Sequence, residues 1–168
     1  MTESEINEHL NQYRASIQND NYRSAIYHLA ILLYCMPYLE LQEQGRLERQ
    51  LKQIEITDDL IKAAKEEIEK LAASINQIIS IGSKWNEDEI MILLQRRIDI
   101  DVLLYFLEKY GEESQTDLSQ IDELFDMIAV SPQNRRNFEI AIRQMKRNSD
   151  TQCYTKWLDV DNFKKNNH

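Results

Sequence analysis

The stretch that decides the fold runs from Asn86 to Gly111 and reads NEDEIMILLQRRIDIDVLLYFLEKYG. Asn86 and Glu89 have the spacing of a capping box at a helix start, and Gly111 stands where helices often end in a left-handed residue. The apolar residues between them lie on more than one side of a helix: Leu94, Ile98, Val102 and Phe106 on one, and Ile92, Ile100, Leu103 and Leu107 on another. Because a helix that is apolar around most of its circumference is normally buried, we predict that this one is central to an all-α domain.

The composition agrees with a helical, soluble chain. Among 168 residues there are only three glycines and two prolines, and 42% of the residues are hydrophobic. The low glycine and proline content indicates long helices. Together with the apolar periodicity of successive segments, it predicts an irregular bundle of six or seven helices over residues 1–148, followed by a polar, aromatic-containing tail over 149–168. The net charge of −9 disfavours nucleic acid and anionic membranes as partners, because both repel an acidic protein.

The first two predicted helices form a hairpin around a polar turn at Asn19–Asn21. Ile6, Leu10 and Tyr13 recur at helical spacing in the first helix, and the second runs from Tyr22 to Met36. The second helix resembles the second half of one tetratricopeptide repeat, in which a tyrosine before a small alanine packs two helices and a proline closes the unit. The matching residues are Asn21, Tyr22, Ala25, Ile26, Leu29, Leu32 and Pro37, and no second copy follows at the period of that repeat.

A longer helix is predicted from Asp58 to about Ile81, and it carries a heptad seam. Ile61, Ile68 and Ile75 are seven residues apart in this helix. Such a seam indicates either a homodimer through a coiled coil or packing against another helix of the same chain. The seam spans fewer than four heptads, which favours packing within the chain.

Charged residues interrupt the apolar central helix. Arg97 and Asp101 lie four residues apart on one side of it, and buried charges need a partner or solvent. One interpretation is a buried polar pair that recognises a ligand or a partner. The other is a set of local ion pairs three and four residues apart, or a solvated strip where the helix reaches the surface, and we favour this second interpretation.

The last predicted helix starts at Ser131–Pro132 and ends at about Asn148. Arg136, Arg143 and Arg147 are spaced seven and four residues apart, so they lie on one side of this helix. They form the only concentrated basic surface of an acidic chain. This arginine strip indicates either a dock for phosphate, nucleic acid or an acidic peptide, or a solvated face that is partly paired with the acids of residues 108–126, and we favour the solvated face.

The tail after Asn148 is polar but contains large aromatic residues. Tyr154 and Trp157 are three residues apart and share one side of a helix. They are candidates for contact with a partner protein or for packing onto the domain.

No motif of catalytic, metal-binding or phosphate-binding chemistry stands out, and we expect no cofactor. His9, His28 and His168 have no metal-ligand spacing with Cys35 and Cys153, and these cysteines suit reduced thiols in a cytoplasmic protein. The first functional hypothesis is therefore a non-enzymatic protein-interaction module: an adaptor, an accessory subunit or a scaffold. The alternatives are an acidic immunity or anti-defence inhibitor that binds a basic nucleic-acid enzyme, and a nucleic-acid-binding accessory protein that uses the arginine strip.

Overall fold

A computed structural model describes residues 1–82, 84–148 and 158 of the chain. Within these residues there are seven α-helices and one short 3₁₀ helix, and there is no strand. The all-α prediction of about seven helices is therefore confirmed. The helices are α1 (Glu3–Gln18), α2 (Tyr22–Cys35), the 3₁₀ helix (Met36–Tyr38), α3 (Leu41–Leu51), α4 (Asp58–Ile81), α5 (Glu87–Lys109), α6 (Ser119–Val130) and α7 (Arg135–Asn148).

The chain divides into two compact units, and both α4 and α5 contribute residues to each of them. Unit 1 contains Met1–Ile68 and Asp101–Gln115, and unit 2 contains Glu69–Ile100 and Thr116–His168. Two compact units are not necessarily two domains, because a unit of this kind need not fold alone. A single helical domain over residues 1–148 therefore stays a prediction.

Unit 1 is built on the predicted hairpin of α1 and α2. The side chain of Ser16 donates to the side-chain oxygen of Ser24 at 2.8 Å, and Ala25 is fully buried next to this contact. This contact and the buried Ala25 lie where α1 and α2 pack against each other. The unit's core is formed mainly by Leu10, Ile26, Leu29, Leu32, Leu33, Leu47, Leu60 and Phe106, all of which are nearly inaccessible to solvent.

Unit 2 is held together by apolar faces of its helices and by a polar contact at Trp85. Phe125 on α6 and Phe138 on α7 are fully buried. The backbone N–H of Trp85 donates to Oδ1 of Asn134 at 3.0 Å, and Nδ2 of Asn137 donates to the Trp85 carbonyl at 2.9 Å. These two amides fix the segment before α5 against the start of α7.

The buried side of α5 changes along its length. In the first half Leu94 and Ile98 are buried, whereas Ile92 is 46% exposed. Leu103 lies about 20° from Ile92 around the helix axis, since eleven residues make almost three full turns, yet it is only 2% exposed. The two halves thus bury opposite sides, and each keeps an exposed strip. This change explains why apolar residues occur around most of the predicted central helix, and why Ile92 is not part of the core.

Both ends of α5 lie where the sequence predicts them, whereas the start of α7 does not. Asn86 and Glu89 form a capping box, and Gly111 has a φ of 71° in the left-handed region. The predicted helix start at Ser131–Pro132 is wrong, because residues 131–134 form a turn and α7 begins at Arg135. The side chain of Asn134 accepts the hydrogen bond from the Trp85 N–H, and its backbone N–H donates to the Ser131 carbonyl at 3.1 Å.

Candidate interaction surface

Helix α7 has one buried side and one basic side. Phe138 and Ala141 are fully buried, and Ile142 is 3% exposed. Arg136 and Arg143 are exposed on the opposite side. Arg147 is exposed on that side as well. Because of their spacing of seven and four residues, the three residues of the arginine strip lie within about 40° of one another around the helix axis. The strip extends about 16 Å along the axis at 1.5 Å per residue.

The arginine strip is not neutralised by neighbouring acids. Among the residues that the structure describes, no ion pair involves Arg136, Arg143 or Arg147. The ion pair on this helix joins Arg135 to Glu139, with 3.3 Å between Nε and Oε1. The predicted pairing of the strip with the acids of residues 108–126 is therefore absent from this part of the chain, and the three guanidinium groups face solvent.

A half-buried apolar side chain lies within the strip. Ile140 is partly exposed and lies one turn after Arg136 and just under one turn before Arg143. The strip thus combines positive charge with some apolar surface, a combination that is usual where proteins bind other proteins.

The neighbouring helix α6, in the same unit, is acidic. Burial of the Asp126 carboxyl raises its pKa, and the negative charges of Asp122 and Glu123 raise it further. On the same helix Met127 is 63% exposed and Val130 is 45% exposed. Unit 2 therefore presents exposed apolar side chains next to acids on α6 and basic side chains on α7.

The two members of the predicted buried polar pair each have a partner on another helix. Arg97 is buried, and its guanidinium donates to both carboxylate oxygens of Asp122, from Nε at 2.7 Å and from Nη2 at 3.2 Å. Asp101 is half-buried and accepts a hydrogen bond from the Tyr34 hydroxyl at 2.9 Å. No signal in the sequence connects Asp122 with Arg97, which lies 25 residues earlier.

A histidine pair in unit 1 was not predicted from the sequence. Nδ1 of His9 on α1 and Nδ1 of His28 on α2 are 2.9 Å apart, so one ring donates a hydrogen bond to the other. Burial lowers the pKa of His9, and the nearby charges of Glu8 and Glu5 oppose this effect. The pKa of His28 is lowered by burial and then by His9, while Glu8 raises it. Both rings are thus favoured in the neutral form.

The remaining candidate interaction residues belong to the heptad seam of α4 and to the C-terminal tail. Ile68 and Ile75 are fully buried within the single chain, as packing within the chain requires, and Ile61 is half-buried. A homodimer through this seam stays a prediction, and it would first require these side chains to become exposed.

Tyr154 and Trp157 lie outside the described residues.

The described residues contain neither a group of metal ligands nor a membrane-spanning helix. In residues 1–82, 84–148 and 158, no three histidine, cysteine or acidic side chains are grouped as ligands for a metal ion. None of the helices in these same ranges has the length and apolar character needed to cross a membrane. No protein-family model matches the chain, and no curated protein or solved structure is detectably similar to it.

Proposed function

We propose that this chain is a non-enzymatic protein-interaction module, such as an adaptor, an accessory subunit or a scaffold, that binds an acidic protein partner on the arginine strip of α7. The observation that carries the proposal is the exposure of Arg136, Arg143 and Arg147 on one side of a helix, with none of them in an ion pair within the described part of the chain. Arginine is well suited to carboxylate groups, since its planar guanidinium donates several hydrogen bonds at once.

The net charge of the chain favours a protein over a nucleic acid at this strip. The chain carries a charge of −9, so a polyanion is repelled by most of the surface that it approaches. A protein can present a few carboxylates at the strip and neutral or basic side chains elsewhere. A gel-shift assay over a range of salt concentrations tests the alternative, because binding to phosphates weakens steeply as salt is added.

The proposal is tested by photo-crosslinking in an extract of the source cells. A photoreactive amino acid replaces Gln144, which is exposed beside Arg143. We expect it to capture one protein that, once identified and purified, binds the chain in solution. The triple variant Arg136→Gln/Arg143→Gln/Arg147→Gln should weaken this binding at least tenfold, about 1.4 kcal/mol.

A matched control removes the same charge elsewhere. Arg14, Arg49 and Lys70 are exposed on α1, α3 and α4, and their replacement by glutamine changes the net charge by the same three units. We expect this control variant to bind the partner like the wild type. Equal loss of binding in both triple variants would mean that only net charge matters, and the proposal would then be wrong.

A further inference from the structure

We infer that the arginine strip fits an acidic helix that lies antiparallel to α7, and this inference rests on the proposed function. Along α7, Arg136 and Arg143 are about 10.5 Å apart and Arg143 and Arg147 about 6 Å apart, at 1.5 Å per residue. A neighbouring straight helix repeats the same two distances when its carboxylates are separated by seven and by four residues. The match requires no distortion of either helix.

An extended peptide fits these distances poorly. Side chains on one face of a strand recur every two residues, at about 6.6–6.8 Å. This step is close to the distance between Arg143 and Arg147. The longer distance, from Arg136 to Arg143, corresponds to about three residues of a strand, and the third residue points to the opposite face. The arginine spacing therefore selects a helix over a strand.

The helix dipole favours the antiparallel direction, whereas the order of the distances only sets the register of the partner's carboxylates. In an antiparallel partner the first carboxylate faces Arg147, the second follows four residues later at Arg143, and the third follows after seven more at Arg136. The closely spaced pair of carboxylates then lies nearer the N-terminus of the partner helix than in the parallel direction, and the helix dipole stabilises negative charge in the first turn there. The macrodipoles of two antiparallel neighbours also attract each other.

Ile140 adds an apolar contact to this register. It is half-buried between Arg136 and Arg143, four residues after the first and three before the second. An antiparallel partner therefore places an apolar residue three positions after its second carboxylate and four before its third. Glu139 does not oppose the partner's carboxylates strongly, because it is paired with Arg135.

Two peptides of identical composition test this inference. The matched helical peptide carries glutamate, glutamate, leucine and glutamate at successive steps of four, three and four residues. The swapped peptide exchanges the central leucine and glutamate, which gives the pattern of a parallel partner. We expect the matched peptide to bind the full-length chain at least tenfold more tightly in fluorescence anisotropy, and the strip variant Arg136→Gln/Arg143→Gln/Arg147→Gln to lose this binding.

A third peptide tests the need for a helix. It is the matched peptide with a proline at its centre, which breaks the helix but keeps every charge. We expect it to bind at least tenfold more weakly than the matched peptide. Equal or tighter binding of the swapped peptide overturns the antiparallel register, and equal binding of the proline peptide overturns the helical partner. Absence of binding by the matched peptide also overturns the inference.

These outcomes are distinguishable from failure of the proposed function. A crosslinked partner that depends on the arginine strip but contacts it through a non-helical segment overturns the acidic helix and leaves the interaction module in place. A partner whose capture is unaffected by the strip variant overturns the proposed function itself.

Discussion

Arg97 on α5 binds Asp122 on α6 through two hydrogen bonds of 2.7 and 3.2 Å, but the two side chains differ in their contact with solvent. The side chain of Arg97 is 7% exposed, whereas that of Asp122 is 47% exposed. The guanidinium is therefore almost completely desolvated, while the carboxylate keeps part of its hydration. Because a buried charge that loses an acidic partner is the costly outcome, loss of the carboxylate should matter more than loss of the cation.

We predict that Asp122→Ala lowers the free energy of unfolding by about 3 kcal/mol and Arg97→Met by about 1 kcal/mol or less. Methionine keeps an apolar stem of similar length in the buried site, while the Asp122 carboxylate can turn to water. Urea denaturation followed by circular dichroism measures both values. The opposite order would show that the buried guanidinium is stabilised chiefly by groups other than Asp122.

The contact between Trp85 and Asn134 gives a second prediction. Asn134→Ala leaves the buried backbone N–H of Trp85 without its acceptor, so we expect a loss of about 2 kcal/mol in unfolding free energy. Asn137→Ala removes a donor to the Trp85 carbonyl at a half-buried position, and it should cost less than about 1 kcal/mol. Tryptophan fluorescence in a urea titration reports on both, and equal losses would contradict the greater importance of the buried amide.

The change of buried side along α5 gives a third prediction. Leu103→Ala should lower the free energy of unfolding by about 2–5 kcal/mol, because it leaves a cavity in the core. Ile92→Ala, on the same side of the helix but in its exposed strip, should cost less than about 1 kcal/mol. Thermal unfolding of the two variants checks this difference. Comparable losses would mean that Ile92 is covered in solution.

The histidine pair gives a pH prediction whose sign follows from its lowered pKa values. Both His9 and His28 titrate below the ordinary value of 6.5 in the folded chain, so the unfolded chain takes up protons first as the pH falls. The stability from the neutral pair is fully present above about pH 6.5 and is lost as the pH falls below it. A second proton would also abolish the acceptor of the hydrogen bond between the two rings.

We therefore expect the wild type to lose more stability between pH 7.5 and pH 5.5 than the variant His9→Gln/His28→Gln. Urea titrations at a series of pH values measure the difference, and the single variants show whether each ring contributes. Identical pH profiles for the wild type and the double variant would rule out this contribution of the pair.

The local spacing of residues determined the helices and many of their ends. The N-terminal hairpin, the boundaries of α5 and the left-handed Gly111 follow from apolar periodicity and capping residues, which act over one or two turns. The basic side of α7 was also predictable, because residues seven and four apart share one side of any helix. These features depend only on residues that are close in sequence, so they can be predicted from the sequence alone.

Tertiary structure alone decided which polar groups meet. Asp122 binds Arg97 across 25 residues, Tyr34 binds Asp101 across 67, and His9 meets His28 across the hairpin. Tertiary packing also decided that α5 buries one side before Ile100 and the other side after it. Periodicity gives the apolar sides of a helix, but which element covers each side depends on contacts between distant segments, and no local spacing encodes them.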